Sequence, residues 1–223
     1  MHQRKSKKVL LYFFLIIIFG SINNFNLYKL NLTQIKKINI SGFEDTNSQN
    51  LLNEIKNLNL ENLFFLNSSE ITELIDSNTL VEKYTIFKKY PSTLDIKIKE
   101  TTFLAKINLD GQLFLIGSNG KFTKKNTSNK NLPYIFGKPE IHEFLKFKKK
   151  LDNSKILYDQ IKAFYYFQSK RWDIELKSNI IIKLPKDRIK ESLDNSFKIL
   201  NENSLNNIKI IDARVKNQII LNG

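Results

Sequence analysis

The chain has no cysteine in 223 residues. Disulfides, thiolate nucleophiles and cysteine metal sites are therefore excluded, while the redox compartment is left open. Histidine is nearly absent, with only His2 and His142. His142 has no second histidine to share a zinc ion and no GxSxG motif to complete a serine triad, so a surface role is the commoner reading. No GxGxxG and no P-loop is present, so no nucleotide cofactor is expected. Acidic residues are outnumbered, 22 against 36 Lys and Arg, giving a net charge of +14. That balance invites an anionic partner, but the charge is spread along the whole length. Lys124-Lys125 and Lys148-Lys149-Lys150 are short enough to be solvated faces, and no RNP, zinc-finger or helix-turn-helix signature accompanies them. Nucleic-acid binding is not expected. With only 7 Gly and 4 Pro against abundant Lys, Asn and Ile, the composition is what an AT-rich genome produces without selection for binding.

What is present supports a folded protein. At 41% hydrophobic and 12% aromatic residues the chain can build real cores, and its length allows one large domain or two small ones. The N-terminus carries a basic head with Arg4, Lys5, Lys7 and Lys8, followed by an apolar run from Val9 to Phe19. A cleaved signal peptide and an uncleaved signal anchor compete. No A-x-A-like site follows the run, and Gly20-Ser21 is the nearest approach, so the expectation is an anchor over residues 9–28 behind a cytoplasmic head of residues 1–8. Basic residues on that side keep the N-terminus in the cytoplasm and send the bulk of the chain across.

Beyond Ile35 the apolar spacing is regular. Ile38 and Ile40 alternate in a short strand before Ser41-Gly42; Leu51, Ile55 and Leu58 share one helix face; Ile71, Leu74 and Ile75 share another after a capping-box-like Asn67 and Glu70. A strand over Thr79–Tyr90 leads through Pro91-Ser92 to Leu94, Ile96 and Ile98, which alternate with charged residues. The order is β-α-α-β-β. Next, Phe103–Asn108 and Leu113–Ile116 flank Asp110-Gly111, a hairpin dipeptide, and Gly117–Asn131 reads as loop. Two helices are expected from the stripes Ile141, Phe144, Leu145 and Leu157, Ile161, Phe164. The stretch SKRWDIELKSNIIIKL follows, a hairpin turning at Ser178-Asn179 with Trp172, Ile174 and Leu176 on one face. Asp187 is placed to cap a helix bearing Ile189, Leu193, Phe197 and Leu200, and Ile208–Val215 and Gln218–Leu221 are the last strands.

Enzymatic chemistry finds little support. Glu140, Glu143, Asp173 and Glu175 are the carboxylates that a glycan hydrolase could pair. Asp173 and Glu175 also read as the polar face of a strand, and Glu140 and Glu143 as the first turn of a helix, where the dipole favours acids. The sequons at Asn31 and Asn67 are chance matches in an Asn-rich chain. Trp172 reads as a buried core anchor.

Taken in order, a basic head, one anchor, INISG, two short helices and YPSTLDIKIKE resemble the bacterial division proteins FtsQ and DivIB. LIGSNGKF (Leu115–Phe122) is similar to a segment of that family in which an acidic residue is common where Ser118 stands. Leu132-Pro133 with Gly137, Arg171-Trp172 through Leu184-Pro185, and Ile211-Asp212-Ala213-Arg214 match further motifs in the family's order. The resemblance implies an α+β architecture with a POTRA domain over residues 36–101 and an FtsQ-type β domain with flanking helices over residues 102–223. It also implies a non-catalytic scaffold of the inner membrane, single-pass type II, with its bulk in the periplasm at the division septum. The partners it implies are the FtsB- and FtsL-like proteins. Its partner-binding region maps to Arg214, Val215, Asn217, Ile219 and Leu221 on the final strand, with Arg171 as a further contact. Val215 departs from the aromatic of some relatives. An anchored wall hydrolase and a POTRA-type chaperone or translocation module are the alternatives.

Overall fold

A computed structural model of the chain describes residues 7–22, 35–58, 60, 63, 66, 68–124, 131–201 and 208–223. The apolar run forms helix α1 (Lys7–Ile22), in which the large side chains from Val9 to Phe19 are 40–71% exposed. Among the described residues no helix is long and apolar enough to cross a membrane. Residues 23–28 of the expected span lie outside the described residues, as do residues 1–6, Asn31 and Asn67.

The chain divides into two compact units, Met1–Leu74 with Thr85–Lys97, and Ile75–Tyr84 with Ile98–Gly223. After α1 come β1 (Lys37–Ser41), α2 (Asp45–Asn57), α3 (Ser69–Ser77), β2 (Val81–Lys89) and β3 (Thr93–Glu100), the β-α-α-β-β order expected from the periodicity. They give a three-stranded sheet in the order β1-β3-β2. β1 lies parallel to β3, with Ile38 opposite Leu94 and Ile40 opposite Ile96, a pairing that needs the helical crossover between them. Leu94, Ile96 and Ile98 are buried, as are Leu51, Ile55, Ile71 and Ile75. One apolar stripe per element is what each had to bury, at about 1.5–3 kcal/mol for each large side chain.

The rest of the chain builds a nine-stranded sheet, β12-β11-β10-β9-β8-β7-β4-β5-β6. Its strands are β4 (Phe103–Leu109), β5 (Gln112–Gly117), β6 (Phe122–Thr123), β7 (Tyr134–Phe136), β8 (Ile161–Tyr166), β9 (Trp172–Leu176), β10 (Ile181–Lys183), β11 (Ile210–Asp212) and β12 (Ile220–Asn222). Helices α4 (Ile141–Asp152) and α5 (Ile189–Leu200) supply Phe144, Phe147, Leu151, Ile189 and Leu193 to the core with these strands. One buried row runs across the sheet through register partners: Ile107, Ile135, Phe164, Ile174, Ile182 and Ile211. Trp172 is buried and stacks on Phe147, ring centroids 4.7 Å apart and 14° from parallel. The β4–β5 turn has Asp110 and Gly111 both at positive φ, the conformation that suits a two-residue hairpin.

Four expectations need correction. Leu157, Ile161 and Phe164 do not share a helix: Tyr158–Gln160 is a single 3-10 turn and Ile161–Tyr166 is strand β8. Helical and strand spacing coincide in so short a run. The β-branched and aromatic side chains settle it between two neighbouring strands, with Phe164 buried on one face and Tyr165 on the other. Asp187 is not the cap of α5; Arg188 holds that position in the left-handed conformation, φ 55°, without a side-chain cap bond. The last strands are shorter than expected, since the chain turns through Val215–Asn217 with Asn217 at φ 58°.

The fourth correction concerns Gly117–Asn131, which is not all loop. It contains β6, and its first turn is held by side chains within the second unit. Asn119 Nδ2 donates to the carbonyls of Thr79 at 2.9 Å and Val81 at 2.8 Å. Lys121 donates to Asp76 and Asn78 carbonyls, and Ser118 Oγ donates to Glu82 at 2.9 Å. A Cβ on Gly117 would meet Asn119 Oδ1 at 2.5 Å and Thr101 Oγ1 at 2.6 Å, so the motif's first glycine is needed for space.

Candidate partner-binding edge

Among the described residues β12 is the terminal strand of the large sheet and pairs on one side only, antiparallel to β11. Ile210 lies opposite Asn222, Ile211 opposite Leu221 and Asp212 opposite Ile220. Leu221 therefore continues the buried row that ends at Ile211, and it is 39% exposed. Ile220 faces the other way and is exposed too. A terminal strand with free backbone donors and acceptors and apolar side chains on both faces is a template for another strand.

The expected site residues separate into two groups. Val215, Asn217 and Ile219 line one cleft of about 190 Å³, together with Arg188 at the cap of α5 and Glu191 and Asn195 within it. Ile219 precedes β12, is half-buried and packs on the core, whereas Val215 is exposed. Leu221 stands on the strand itself. The α5 side of the cleft was not visible in the sequence, because nothing local links Arg188 to Asn217.

The two arginines pair with two different carboxylates, Arg171 with Asp173 and Arg214 with Asp212. Arg171 Nε donates to Asp173 Oδ1 at 3.3 Å, and its guanidinium lies 4.4 Å from the Phe167 ring centre. Arg214 Nε bonds both carboxylate oxygens of Asp212 at 2.8 and 3.0 Å. Asp173, Lys183 and Asp212 are register partners across β9, β10 and β11, so the charges alternate along one row. Asp173 is buried and also accepts the Leu184 N–H at 3.2 Å. Burial pushes its carboxyl up, against the lowering fields of Arg171 and Arg214. Asp212 goes the other way, held below the ordinary carboxylate range chiefly by the hydrogen bond from Arg214. Arg171/Asp173 and Asp212/Arg214 are each spaced by two, with Arg171 just before β9 and Arg214 just after β11.

The remaining carboxylates are already engaged. Glu175 accepts from Lys162 and from the Tyr165 hydroxyl, each at 2.6 Å, and the Tyr165 phenol is pushed up to about 12 by that bond. Glu140 and Glu143 lie 3.1 Å from Nδ1 and Nε2 of His142, whose side chain is exposed.

Two family profiles match adjoining segments: "POTRA domain, FtsQ-type" over residues 33–101, and "Cell division protein FtsQ/DivIB, C-terminal" over residues 105–214. The second stops just ahead of Val215. The chain is similar to cell division protein FtsQ of Rickettsia bellii, 26% identical over 188 residues that make up 83% of this chain and 70% of that one. It is similar to DivIB of Clostridium botulinum, 27% identical over 224 residues covering 93% and 86% of the two chains. To DivIB of Clostridium acetobutylicum it is 32% identical over 111 residues, 49% of this chain and 45% of that one.

Proposed function

The chain belongs to the FtsQ/DivIB family of bacterial cell division proteins, and from that premise we propose that it is a non-catalytic scaffold of the division complex that captures FtsB- and FtsL-like partners along β12, linking early and late division proteins to septal peptidoglycan synthesis. The observation that carries the reading is the place of Leu221, at the uncovered end of a fully buried apolar row on a terminal strand. A partner strand added there gains main-chain hydrogen bonds, while an apolar side chain beside Leu221 extends the core. Val215, Asn217 and Ile219 offer the adjoining cleft to the partner's flanking residues. Arg214 and Arg171 keep guanidinium donors beyond those spent on Asp212 and Asp173, and these suit acidic partner side chains.

The same proposal anchors the protein in the inner membrane through the N-terminal segment, with residues 36–101 as the POTRA domain and residues 102–223 as the β domain on the periplasmic side of the septum. Its support is the apolar run of α1, exposed on every side, behind a basic head. At ~1.5 Å per residue α1 supplies about 24 Å of a hydrocarbon core ~30 Å thick, so the expected span over residues 9–28 exceeds the helix.

Hydrogen exchange on the full chain, with and without an FtsB/FtsL-like pair, tests the reading. Amides of Ile220–Asn222 are expected to gain protection in the complex. A stable complex that leaves these amides unprotected would overturn the proposal.

A further inference from the structure

On the helix-covered side of the large sheet, four lysines from separate parts of the sequence gather around one cleft of about 280 Å³. Lys146 and Lys150 lie on one side of α4, Lys170 sits in the β8–β9 turn at φ 60°, and Lys186 follows Pro185. Phe147 and Trp172, stacked on each other, also line it. The carboxylates on the rim are Glu143 and Asp187, and Glu143 is within 3.1 Å of His142.

Lysines nearby have found acids: Lys148 with Asp152, Lys162 with Glu175 and Lys190 with Asp194. Among the described residues the ammonium groups of Lys146, Lys150, Lys170 and Lys186 form no such pair. The run Lys148-Lys149-Lys150 is thus not one solvated face. Lys148 turns to Asp152 and the Tyr158 ring, and Lys150 turns into the cleft. Four like charges around a partly apolar hollow repel one another, and an anion seated among them reverses the sign of that interaction.

We propose that this cleft binds a phosphate-bearing anion. Each ammonium offers three donors and no acceptor, and four of them exceed what a single carboxylate can accept. A phosphate or pyrophosphate carries several acceptor oxygens and more than one negative charge, and lysine serves it as a point charge. The source is either a soluble phosphate or the headgroup of an anionic lipid. The proposal stands apart from the β12 reading.

Trp172 is the only tryptophan in the chain and lines the cleft, so its fluorescence reports occupancy. The full chain in detergent is titrated with inorganic pyrophosphate, and in parallel reconstituted with phosphatidylglycerol or phosphatidylcholine vesicles. A saturable change is expected that weakens as salt is raised and weakens about tenfold or more in the double variant Lys150→Gln, Lys170→Gln. Lys190→Gln, whose lysine already pairs with Asp194, is expected to leave it unchanged. A lysine-dependent response to pyrophosphate supports a soluble phosphate as the source, and one confined to phosphatidylglycerol vesicles supports a lipid headgroup. Responses that are absent, or the same in the double variant with both probes, overturn the proposal. These lysines are on the cleft rim, and circular dichroism of the double variant checks that its fold is kept.

Discussion

Leu221 sits opposite Ile211 in the β11–β12 ladder, yet Ile211 is fully buried and Leu221 keeps 39% of its surface exposed. The two residues are equivalent in register and differ only in what lies beyond them. Ile211 belongs to the core built with α4 and α5, and Leu221 does not.

Leu221→Asp is expected to abolish capture of the FtsB/FtsL-like pair in a pull-down while the melting temperature stays near wild type, because an exposed edge accepts a charge at little cost. Ile211→Asp, by contrast, places an unpaired charge in the core and is expected to unfold the second unit. A folded Leu221→Asp protein that binds like wild type would show that the partner docks elsewhere.

The two arginines should not be equivalent. Arg171→Ala leaves Asp173 buried with a single backbone donor, and removing one partner of a buried pair costs up to about 3–5 kcal/mol. Arg214→Ala breaks a pair on the surface, worth about 0–1 kcal/mol, since the Arg214 side chain is 43% exposed. Urea unfolding of both variants checks the order, and the reverse ranking would mean that Arg171 is not what stabilises the Asp173 charge.

Burial raises the Asp173 carboxyl, so between the ordinary and the raised folded value the folded chain keeps a proton that the unfolded chain has lost. Its contribution to stability is complete below the ordinary aspartate value of about 4 and is lost as pH rises through the folded value. Asp212, lowered by Arg214, and Glu175, lowered first by Lys162 and then by Tyr165, behave oppositely: their contributions are complete above the ordinary value and lost as pH falls through the folded one. Asp173→Asn is therefore expected to gain in melting temperature relative to wild type as pH rises from the ordinary aspartate value of about 4 through the raised folded value. Asp212→Asn is expected to lose ground only in the acid range, as pH rises through the lowered folded value up to the ordinary value of about 4. Parallel curves for Asp173→Asn and wild type would refute the assignment.

Asn119→Ala removes both donors that satisfy the Thr79 and Val81 carbonyls and is expected to cost about 1–3 kcal/mol. Asn119→Asp keeps the shape but cannot donate, so it should cost at least as much. Chemical denaturation measures both, and a loss within about 0.5 kcal/mol would place Asn119 among ordinary surface positions.

Alternation and spacing within single elements were legible in the sequence. β1, β3 and β9, the stripes of α2, α4 and α5, and the Asp110-Gly111 turn all follow from side-chain period and backbone sterics that act over a few residues. Ile161–Tyr166 was not legible, because six residues fit both periods and only the neighbours β7 and β9 select the strand. The Ser118–Lys121 turn was visible as a motif but not as a set of donors, since the carbonyls it serves lie some forty positions earlier in the chain.

The candidate site divides along the same line. That Val215–Leu221 ends in apolar strand residues follows from the sequence alone. Which strand is left at the sheet's edge, that Arg171 and Arg214 bear on one buried carboxylate, and that α5 lines the cleft with Asn217 were decided by strand order. β10 lies between β9 and β11, and α5 crosses over to join β10 to β11 in parallel. Periodicity assigns a residue to a face of its own element, but the neighbour that covers that face, or leaves it bare, is chosen by packing across the whole sheet.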